Sequence, residues 1–394
     1  MKKEKIGNIL QMQRGYDLPV SQMRNGQIPV VGSNGVVGYH DTAKCFTPTI
    51  TIGRSGSAGK IHMYDTPTWV HNTALYLTDF KGNNPKYLYY LLRLLHLETL
   101  CGSSVIPSLN RNVVYPMVVN FHENREDQDA ISSILSKIDE KIAVNHEINR
   151  NLEAMSRQLY DYWFVQFDFP DENGRPYKSS GGKMVWNEKL KRDIPESWQV
   201  VNLFHGVDIQ YGFPFSTELF IEEPTLVPVV RIRDILNGTT SAYSKEDADE
   251  KYRLSKGDVV VGMDGNFHMN IWSDETAYLN QRCVRLRHIE GCPISTLQVL
   301  HEIAPYIKAK EQNAKGSTVG HLSDKDLKAI WIVKPLTTTK FNPEITFAKL
   351  SEKIVDNRNE IVALTKQRDE LLPLLMNGQV SVMPTEVNCD LSHD

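Results

Sequence analysis

The sequence predicts a mixed α/β protein in which two globular domains are separated by two long helices that pair as an antiparallel coiled coil. Three observations predict this fold. Two segments carry a heptad seam of apolar residues, and the second seam lies 212 residues after the first (Ile142 to Ile354). Short β-branched blocks precede each seam in the same order. The length of 394 residues favours roughly two or three domains over one core.

Residues 1–125 are predicted to form the first globular domain. Short β-branched or apolar runs at 28–31, 49–52, 73–77 and 113–119 are separated by Gly-rich turns, and residues 85–97 are predicted to be one helix. This segment contains thirteen Lys and Arg against seven Asp and Glu, a net charge of +6, whereas the whole chain carries −4. Local basicity suits a surface that faces phosphate, although an ordinary uneven surface explains it equally well.

The first long helix is predicted over residues 126–165. Alternate steps of four and three residues from Ile131 meet positions that are mostly apolar and never charged, which is typical of a coiled-coil seam. Asn145 within this seam suits a register-setting role, although a merely tolerated polar residue explains it equally well. The predicted seam residues of this helix are Ile131, Leu135, Ile138, Ile142, Asn145, Leu152 and Leu159.

Residues 166–193 are rich in Pro, Gly, Ser and charge, which predicts a linker or an excursion along the surface. A second globular domain is predicted over 194–342, with strands at 227–232, 258–262, 283–286 and 329–333 and a helix at 295–310. The second long helix is predicted over 343–378, and residues 379–394 are predicted to be a disordered tail. The predicted seam residues of the second helix are Leu350, Ile354, Asn357, Ile361, Leu364 and Leu371.

The two halves of the chain also share blocks outside the helices. At an offset of 209 residues, Gly53 meets Gly262 and His71 meets Asn280, and at 214 residues Asn110 meets Asp324. Matching blocks in the same order predict an internal repeat with pseudo-twofold symmetry. Antiparallel pairing would place one domain at each end of a rod roughly 50 Å long. Domains so placed could meet major grooves about one turn of DNA apart.

Several motifs resemble those of a known family. The order of domain, long helix, domain, long helix is accompanied by LEAMSRQLYDYWFVQFDFPDENGRPYKSSGGKM after the first helix, IPESWQVVNL at the start of the second half and KQRDELLPLLMNGQV near the end. Together they closely resemble the specificity (S) subunit of Type I restriction-modification systems. The opening QRGYDLPVSQMRNGQIPVVGSNGVVGYHD is similar to the start of a target recognition domain in that family.

The resemblance implies that each globular domain is a target recognition domain that reads one half of a bipartite, asymmetric site in double-stranded DNA. It implies that the helices bind two methyltransferase (M) subunits, which in turn join the restriction (R) subunits. The chain itself would then be a non-catalytic subunit without a cofactor, because S-adenosylmethionine is expected on the methyltransferase partners.

Bulk features of the sequence favour a cytoplasmic protein without a membrane partner. No run approaches the roughly 18 apolar residues that a membrane span needs, and the start of the chain lacks the apolar core of a signal peptide. The five cysteines form no C-x-x-C pair, which disfavours a disulfide framework or a zinc ribbon.

Candidate DNA contacts are polar residues in Gly-rich turns or just before predicted strands. His71-Asn72 and Asn280-Gln281-Arg282 occupy equivalent places, and Asn or Gln can read adenine whereas Arg can read guanine. Arg231 and Arg233 are predicted to lie on one face of a strand. A surface turn, a capped junction or an ion-paired face is the alternative interpretation throughout. The candidates are Arg14, Tyr16, Ser33, Asn34, Arg54, Ser55, Ser57, Lys60, His71, Asn72, Ser103, Asn110, Arg111, Tyr211, Arg231, Arg233, Asp264, Asn266, Asn280, Gln281, Arg282, Lys315, Ser317, Thr318 and Lys325.

Motifs that carry catalysis are missing from the sequence. The stretch ITIGRSGSAGK departs from a phosphate-binding loop, because five residues separate Gly53 from Gly59 and Ile61 follows Lys60. Neither Asn-Pro-Pro-Phe nor Asp-Pro-Pro-Tyr occurs, Pro170-Asp171 lacks a following acidic-x-Lys pair, and no metal-ligand pattern of His residues is found. A self-sufficient methyltransferase or nuclease is therefore disfavoured. The remaining alternative is a coiled-coil adaptor that binds proteins without sequence-specific DNA binding.

Overall fold

The structure is a computed structural model that describes residues 1–100, 108–221, 223–224, 226–314 and 320–380. The chain divides into two compact units. The first unit contains residues 1–142 together with the part of the chain that begins at Leu364, and the second contains residues 143–363. Within the described ranges, no helix combines the length and the apolar character that crossing a membrane requires.

The described part of the first unit contains a four-stranded antiparallel sheet, a three-stranded sheet and a strand pair. The strands are β1 (Lys2–Lys5), β2 (Gln11–Arg14), β3 (Ile28–Gly32), β4 (Gly35–His40), β5 (Thr49–Gly53), β6 (Ile61–Tyr64), β7 (Trp69–Val70), β8 (Ala74–Asp79) and β9 (Val118–Phe121). The larger sheet has the order β2-β8-β5-β6. In the smaller sheet β3 pairs antiparallel with β4 and parallel with β7, and β1 pairs with β9.

The main short helix of the first unit is α2 (Pro85–Leu94), which lies between the smaller helices α1 (Ile6–Ile9) and α3 (Arg111–Val114) in the chain. Helix α2 begins here because Asn84 Oδ1 accepts from Tyr87 N at 3.1 Å and Pro85 occupies the first helical position. Its apolar face, with Leu88 and Leu91, packs in the same core as Ile50 and Ile52 of β5.

The two long helices are α4 (Arg125–Tyr160), which continues into a π-helical turn at Asp161–Val165, and α9 (Pro343–Met376). Helix α4 begins after Asn124, whose side chain accepts from Glu126 N at 3.0 Å. Every predicted seam position on both helices is buried or half-buried.

Contacts within each unit show that the two helices pack together. In the first unit, Ile131 and Leu135 share a core with Leu375. In the second unit, Asn145 contacts Glu360 whereas Phe164 contacts Phe347, so numbering falls along α9 as it rises along α4. The helices are antiparallel, and the predicted mixed α/β fold with paired long helices is confirmed.

The second unit repeats the four-stranded antiparallel sheet and the parallel strand pair of the first. Its described strands are β10 (Met184–Asn187), β11 (Arg192–Pro195), β12 (Gln199–Asn202), β13 (Asp208–Tyr211), β14 (Phe220–Ile221), β15 (Val227–Val230), β16 (Tyr243–Ser244), β17 (Val259–Gly262), β18 (Met269–Ile271), β19 (Tyr278–Leu279), β20 (Cys283–Arg287) and β21 (Trp331–Lys334). The order β13-β20-β17-β18 matches β2-β8-β5-β6, and the parallel pair β15-β19 matches β3-β7. Its helices are α5 (Leu203–Gly206), α6 (Ile232–Ile235), α7 (Thr296–Ala314) and α8 (Asp324–Lys328).

One part of the predicted repeat is one residue out of register. Leu109 N donates to Arg54 O, and Leu322 N donates to Met263 O. Asn110 and Ser323 follow these leucines and cap α3 and α8. Asn110 therefore corresponds to Ser323 rather than to Asp324. Both residues are helix N-caps, and this shared role is a stronger guide to the alignment of the two halves than the sequence similarity at an offset of 214 residues.

The predicted linker, residues 166–193, packs as part of the second unit. Phe167 and Phe169 are buried in its core, where the Phe169 ring stacks on Trp198 with centroids 4.7 Å apart. The last part of this segment forms an antiparallel hairpin of strands β10 and β11. Its Pro, Gly and Ser content marks turns, but the buried aromatic side chains make it a folded extension of the core.

Two predicted strands are wrong in part because each contains a short helix. Residues 113–119 include the end of α3 before β9 begins at Val118. Residues 227–232 form β15 only as far as Val230, and Arg231 is the N-cap of α6. Arg231 and Arg233 therefore do not share a strand face, because Asp234 closes a capping box with the Arg231 backbone.

Candidate nucleic-acid interface

In the first unit, loops meet at one edge of the β2-β8-β5-β6 sheet. Arg54 N and Ser55 N, which follow β5, donate to Thr73 O just before β8 at 2.8 and 3.1 Å. Ser55 also forms a bridge with Ser108, in the segment before α3. Backbone hydrogen bonds thus fix the loops after β5, before β8 and before α3 against one another.

The end of β2 is held against the same edge. Tyr16 N donates to Val70 O at 2.8 Å, and Tyr16 forms a parallel bridge with His71. A side chain on Gly15 would overlap the His71 carbonyl oxygen, so only glycine permits this close approach. The Tyr16 phenol contacts the Tyr76 phenol at 2.9 Å. Tyr16 is therefore half-buried and supports the loops more than it projects from them.

Polar side chains of the first unit cluster on this edge. Lys60 Nζ donates to Asn34 Oδ1 at 2.8 Å, and Asn72 Nδ2 donates to Asp17 Oδ1. Arg14 forms an ion pair with Asp17 at 3.1 Å. The structure therefore brings several predicted DNA contacts together, and those on this edge are Arg14, Ser33, Asn34, Arg54, Ser55, Ser57, Lys60, His71, Asn72 and Asn110.

The second unit holds its loops with the same backbone contacts. Met263 N donates to Arg282 O at 2.9 Å, as Arg54 N does to Thr73 O. Phe213 bridges to Asn280 as Tyr16 bridges to His71. A side chain on Gly212 would overlap the Asn280 carbonyl, which is the counterpart of the restriction at Gly15. The repeated contacts define the same edge twice, with different side chains on it.

Charged side chains at the second edge form a network around Asp264, at a position where the first edge has Ser55. Arg282 Nη1 lies 3.1 Å from Asp264 Oδ2, and His321 Nδ1 lies 2.6 Å from Asp264 Oδ1. Tyr211 donates to Asp324 Oδ1 at 2.7 Å. Burial, with the Asp324 carboxylate next in effect, raises the pKa of Tyr211, so this phenol stays protonated and donates.

Other candidates of the second unit have varied surroundings. Arg231 is held by Asp234 at 3.3 Å and by Ser241 at 2.8 Å, which leaves it less able to reach a ligand. Asn280 Oδ1 accepts from Gln281 N at 2.8 Å, so this side chain caps its own turn. Four candidates are exposed, namely Arg233, Asn266, Gln281 and Lys325.

Arg111 of the first unit lies apart from the main cluster, since its guanidinium donates to Met12 O at 3.2 Å. Four further candidates lie outside the described residues: Ser103, Lys315, Ser317 and Thr318. The predicted tail lies outside them from residue 381 onward.

Two functional candidates were missed by reasoning from the sequence. Asp17 holds both Arg14 and Asn72, and His321 holds Asp264. The contacts of Asp17 with Asn72 and of His321 with Asp264 join residues far apart in the sequence, so no local motif predicts them. The signal for His321 was its place shortly after Gly316-Ser317-Thr318, which matches Gly102-Ser103-Ser104 in the first half of the sequence, although a lone histidine there is also typical of an ordinary surface.

The arrangement suits binding rather than catalysis. In the part of the chain that the structure describes, no group of three His, Cys, Asp or Glu side chains could hold a metal ion. Each edge instead presents backbone amides, amide side chains and guanidinium groups, which are the groups that contact phosphates and base edges in nucleic-acid complexes.

Comparison with known proteins gives a consistent result. The family model described as the Type I restriction modification DNA specificity domain matches residues 1–154 and 195–359. The chain is 23% identical over 312 residues to the Type I restriction enzyme MjaIX specificity subunit of Methanocaldococcus jannaschii, which covers 75% of this chain and 69% of that protein. It is 31% identical over 183 residues to the EcoBI specificity subunit of Escherichia coli, which covers 46% of this chain and only 37% of that protein.

A solved structure is similar over nearly the full length. The S subunit of a Type-I restriction-modification system from M. genitalium aligns with 95% of this chain and 96% of its own, with a TM-score of 0.58 and 18% sequence identity. This similarity shows that the two chains share a fold.

Proposed function

The chain belongs to the Type I restriction modification DNA specificity family, and we propose that each of its two units reads one half of a bipartite, asymmetric site in double-stranded DNA. As a DNA specificity subunit it is a non-catalytic member of a Type I restriction-modification complex. The reading surfaces are the two loop-bearing edges, one at the β2-β8-β5-β6 sheet and one at the β13-β20-β17-β18 sheet.

One observation carries this proposal. The backbone contacts that assemble the edge are the same in both units, whereas the side chains on it differ. Arg54 N donates to Thr73 O as Met263 N donates to Arg282 O. Ser55 and Thr73 of the first unit therefore correspond to Asp264 and Arg282 of the second. A conserved frame with different polar groups would read different base sequences, so the target would be asymmetric.

Selection of methylated sites from a random DNA library tests the two-reader proposal. The chain is purified with its methyltransferase, the library is incubated with S-adenosylmethionine, and methylated molecules are sequenced. We expect a motif of two specified segments separated by unspecified positions. A single continuous motif, or methylation without sequence preference, would contradict the proposal.

The proposal extends to partners of the long helix. In the second unit, α4 exposes apolar side chains away from its seam at Val144, Ile148 and Met155, and the π-helical turn after it exposes Tyr162; these side chains are 38–52% exposed. Ile148 and Met155 are seven residues apart, so they lie on one face of α4. An exposed apolar face marks a protein contact. We place a methyltransferase subunit on this face. The restriction subunits would join the complex through the methyltransferase, which would also bind S-adenosylmethionine. The complex would act in the cytoplasm.

The variant Ile148→Asp with Met155→Asp tests this docking face. Because both side chains are exposed, the change should leave the unfolding midpoint nearly unchanged while weakening methyltransferase binding by at least about tenfold. Titration of the two purified proteins by calorimetry measures the affinity. Leu219→Asp, at an exposed apolar residue of the same unit, is the matched control and should bind as the unaltered chain does. Equal affinity of the double variant would place the methyltransferase elsewhere.

A further inference from the structure

Arg282 is an exposed cation of the second edge that is held both through its backbone and through its side chain. Its backbone carbonyl accepts from Met263 N at 2.9 Å, and its Nη1 lies 3.1 Å from Asp264 Oδ2. The side chain is nevertheless 58% exposed. A guanidinium that is both exposed and held at one end has a defined direction, which an isolated surface arginine lacks.

Asp264 is held from its other side as well. His321 Nδ1 lies 2.6 Å from Asp264 Oδ1, and because an ionised carboxylate only accepts, this nitrogen carries the proton. Asp264 also bridges to His321 through the backbone, and Gly265 N donates to Gly320 O at 2.9 Å. Asp264 thus has little freedom to move, so it can hold the Arg282 guanidinium.

The contact with Asp264 leaves part of the guanidinium available. Only Nη1 takes part in it, and among the described residues no other side chain binds Nη2 or Nε of Arg282. These two nitrogens lie side by side in the planar fork and donate in parallel. Two parallel donors match the O6 and N7 acceptors of guanine in the major groove, whereas adenine offers a donor at one of these places.

The internal repeat supports a role in specificity. The positions of Asp264 and Arg282 are those of Ser55 and Thr73 in the first unit, where the loops have the same backbone contacts. Both members of the ion pair are therefore absent from the first edge, although the edge is assembled in the same way. The pair is not needed to build the loops.

We propose that Arg282 reads a guanine in the half-site of the second unit and that Asp264 is its positioning residue. This inference rests on the proposed function, because it requires the second edge to face DNA. Asp264 engages Nη1 of an exposed side chain and leaves Nη2 and Nε available, so Arg282 is already positioned when it meets the base. The half-site of the second unit accordingly contains a G·C pair whose guanine contacts the protein.

Arg282→Gln tests the reading of guanine. The variant and the unaltered chain, each complexed with methyltransferase, are compared on DNA carrying each of the four base pairs at every specified position. We expect discrimination in favour of one G·C pair to fall roughly 5- to 150-fold, in one half-site only. Arg175→Gln is the matched control, since Arg175 is also exposed and ion-paired, with Asp171 at 3.0 Å, but lies outside the edge. The control should keep the original preference.

Asp264→Ala and Asp264→Glu test the positioning role. We expect Asp264→Ala to lower discrimination at the same base pair by about tenfold without changing discrimination elsewhere, and Asp264→Glu to restore part of it. A purely structural role would instead lower the unfolding midpoint and affect all positions alike.

Three results would overturn the inference. One is a target without a specified G·C pair in the half-site that Arg282→Gln affects. Another is a uniform loss of methylation on every sequence, which would make Arg282 a phosphate contact. The third is an unchanged motif in Arg282→Gln. Failure of the two-reader proposal is distinguishable, because the unaltered chain would then give no bipartite motif at all.

Discussion

At the scale of single residues, the edges of the two units differ by a few polar side chains on a shared backbone frame. Gly15 and Gly212 show why the frame is shared, since each brings the end of a strand against a carbonyl that a Cβ atom would overlap. Asn72 shows how a side chain is oriented, because Asp17 takes one of its two N–H groups. We propose that its second N–H and its Oδ1 pair with N7 and N6 of adenine.

Replacement of Asn72 by Ala should relax one base position only. Because the proposed contact is to one base, we expect the free energy of discrimination at that base pair to fall by about 1–3 kcal/mol while the other half-site is unchanged. Methylation of DNA with single base-pair changes measures it. Asn112→Ala, at an exposed amide on α3, is the control. Loss of discrimination in both halves would refute a reading role for Asn72.

Reasoning from the sequence identified most residues at the two edges because turns rich in Gly, Ser and Asn mark where loops approach a ligand. It missed Asp17 and His321, since a carboxylate or histidine that orients another side chain leaves no local pattern. It did not predict the hydrogen bonds that Arg231 donates to Asp234 and Ser241, because these contacts form only when the chain has folded.

At the scale of elements, the polar layer between the long helices lies in the second unit. Asn357 Nδ2 donates to Asn149 Oδ1 at 3.0 Å, and Asn149 Nδ2 donates to Ile354 O at 3.2 Å. Asn145 adds a bond to Glu360 at 2.7 Å. Paired amides inside an apolar seam favour one register, since sliding the helices by a turn would leave them buried without partners.

Asn149→Leu should destabilise the chain by about 1–3 kcal/mol, because it removes the buried Asn149 amide and leaves the half-buried Asn357 amide without its acceptor. Adding Asn357→Leu should recover most of this loss, since both polar groups are then replaced. Urea unfolding measures both effects. Asn151→Leu, at an exposed position of the same helix, should change stability little. Equal stability of the single variant and the unaltered chain would rule out the polar layer as a contributor.

Helix α7 carries a carboxyl group whose titration couples to folding. Burial raises the pKa of Glu302 to about 7 from an ordinary value of 4.5, against the opposing hydrogen bonds from Val333 N and Gln298. The folded chain therefore holds a proton that the unfolded chain releases between these values. The contribution of this group to stability is greatest below pH 4.5 and falls as the pH rises to about 7.

Glu302→Gln should remove this contribution to the pH dependence. The amide still accepts from Val333 N but carries no charge, so the variant should gain stability relative to the unaltered chain as the pH rises from 5 to 8. Urea unfolding at both pH values measures the difference. Glu311→Gln, further along α7 at a half-buried position, is the control. A stability difference that is the same at pH 5 and pH 8 would contradict the raised pKa.

The sequence predicted the long helices well and the short elements less well. A heptad repeat extends over many turns, so α4 and α9 were located to within a few residues. Helices of four residues, such as α3 and α6, contribute too few positions for any periodicity. The segment 166–193 was judged by its turn residues, whereas the long-range stacking of Phe169 on Trp198 decides its packing.

At the scale of the whole molecule, the chain contains one architectural unit twice. Each copy has a four-stranded sheet of matching strand order, the same parallel strand pair and the same loop contacts, and each includes one end of both long helices. Membership of the DNA specificity family excludes the interpretation as an adaptor without DNA recognition. That each copy reads its own half of the DNA site stays a prediction, and it is the central claim.

Two methylomes test this claim most directly. One comes from cells that carry the unaltered chain with its methyltransferase, and the other from cells whose chain has residues 1–125 from another member of the family. We predict a bipartite motif for the unaltered chain and, after the exchange, a new sequence in one half with the other half retained. A change in both halves, or in neither, would contradict the claim that each unit reads its own half of the site.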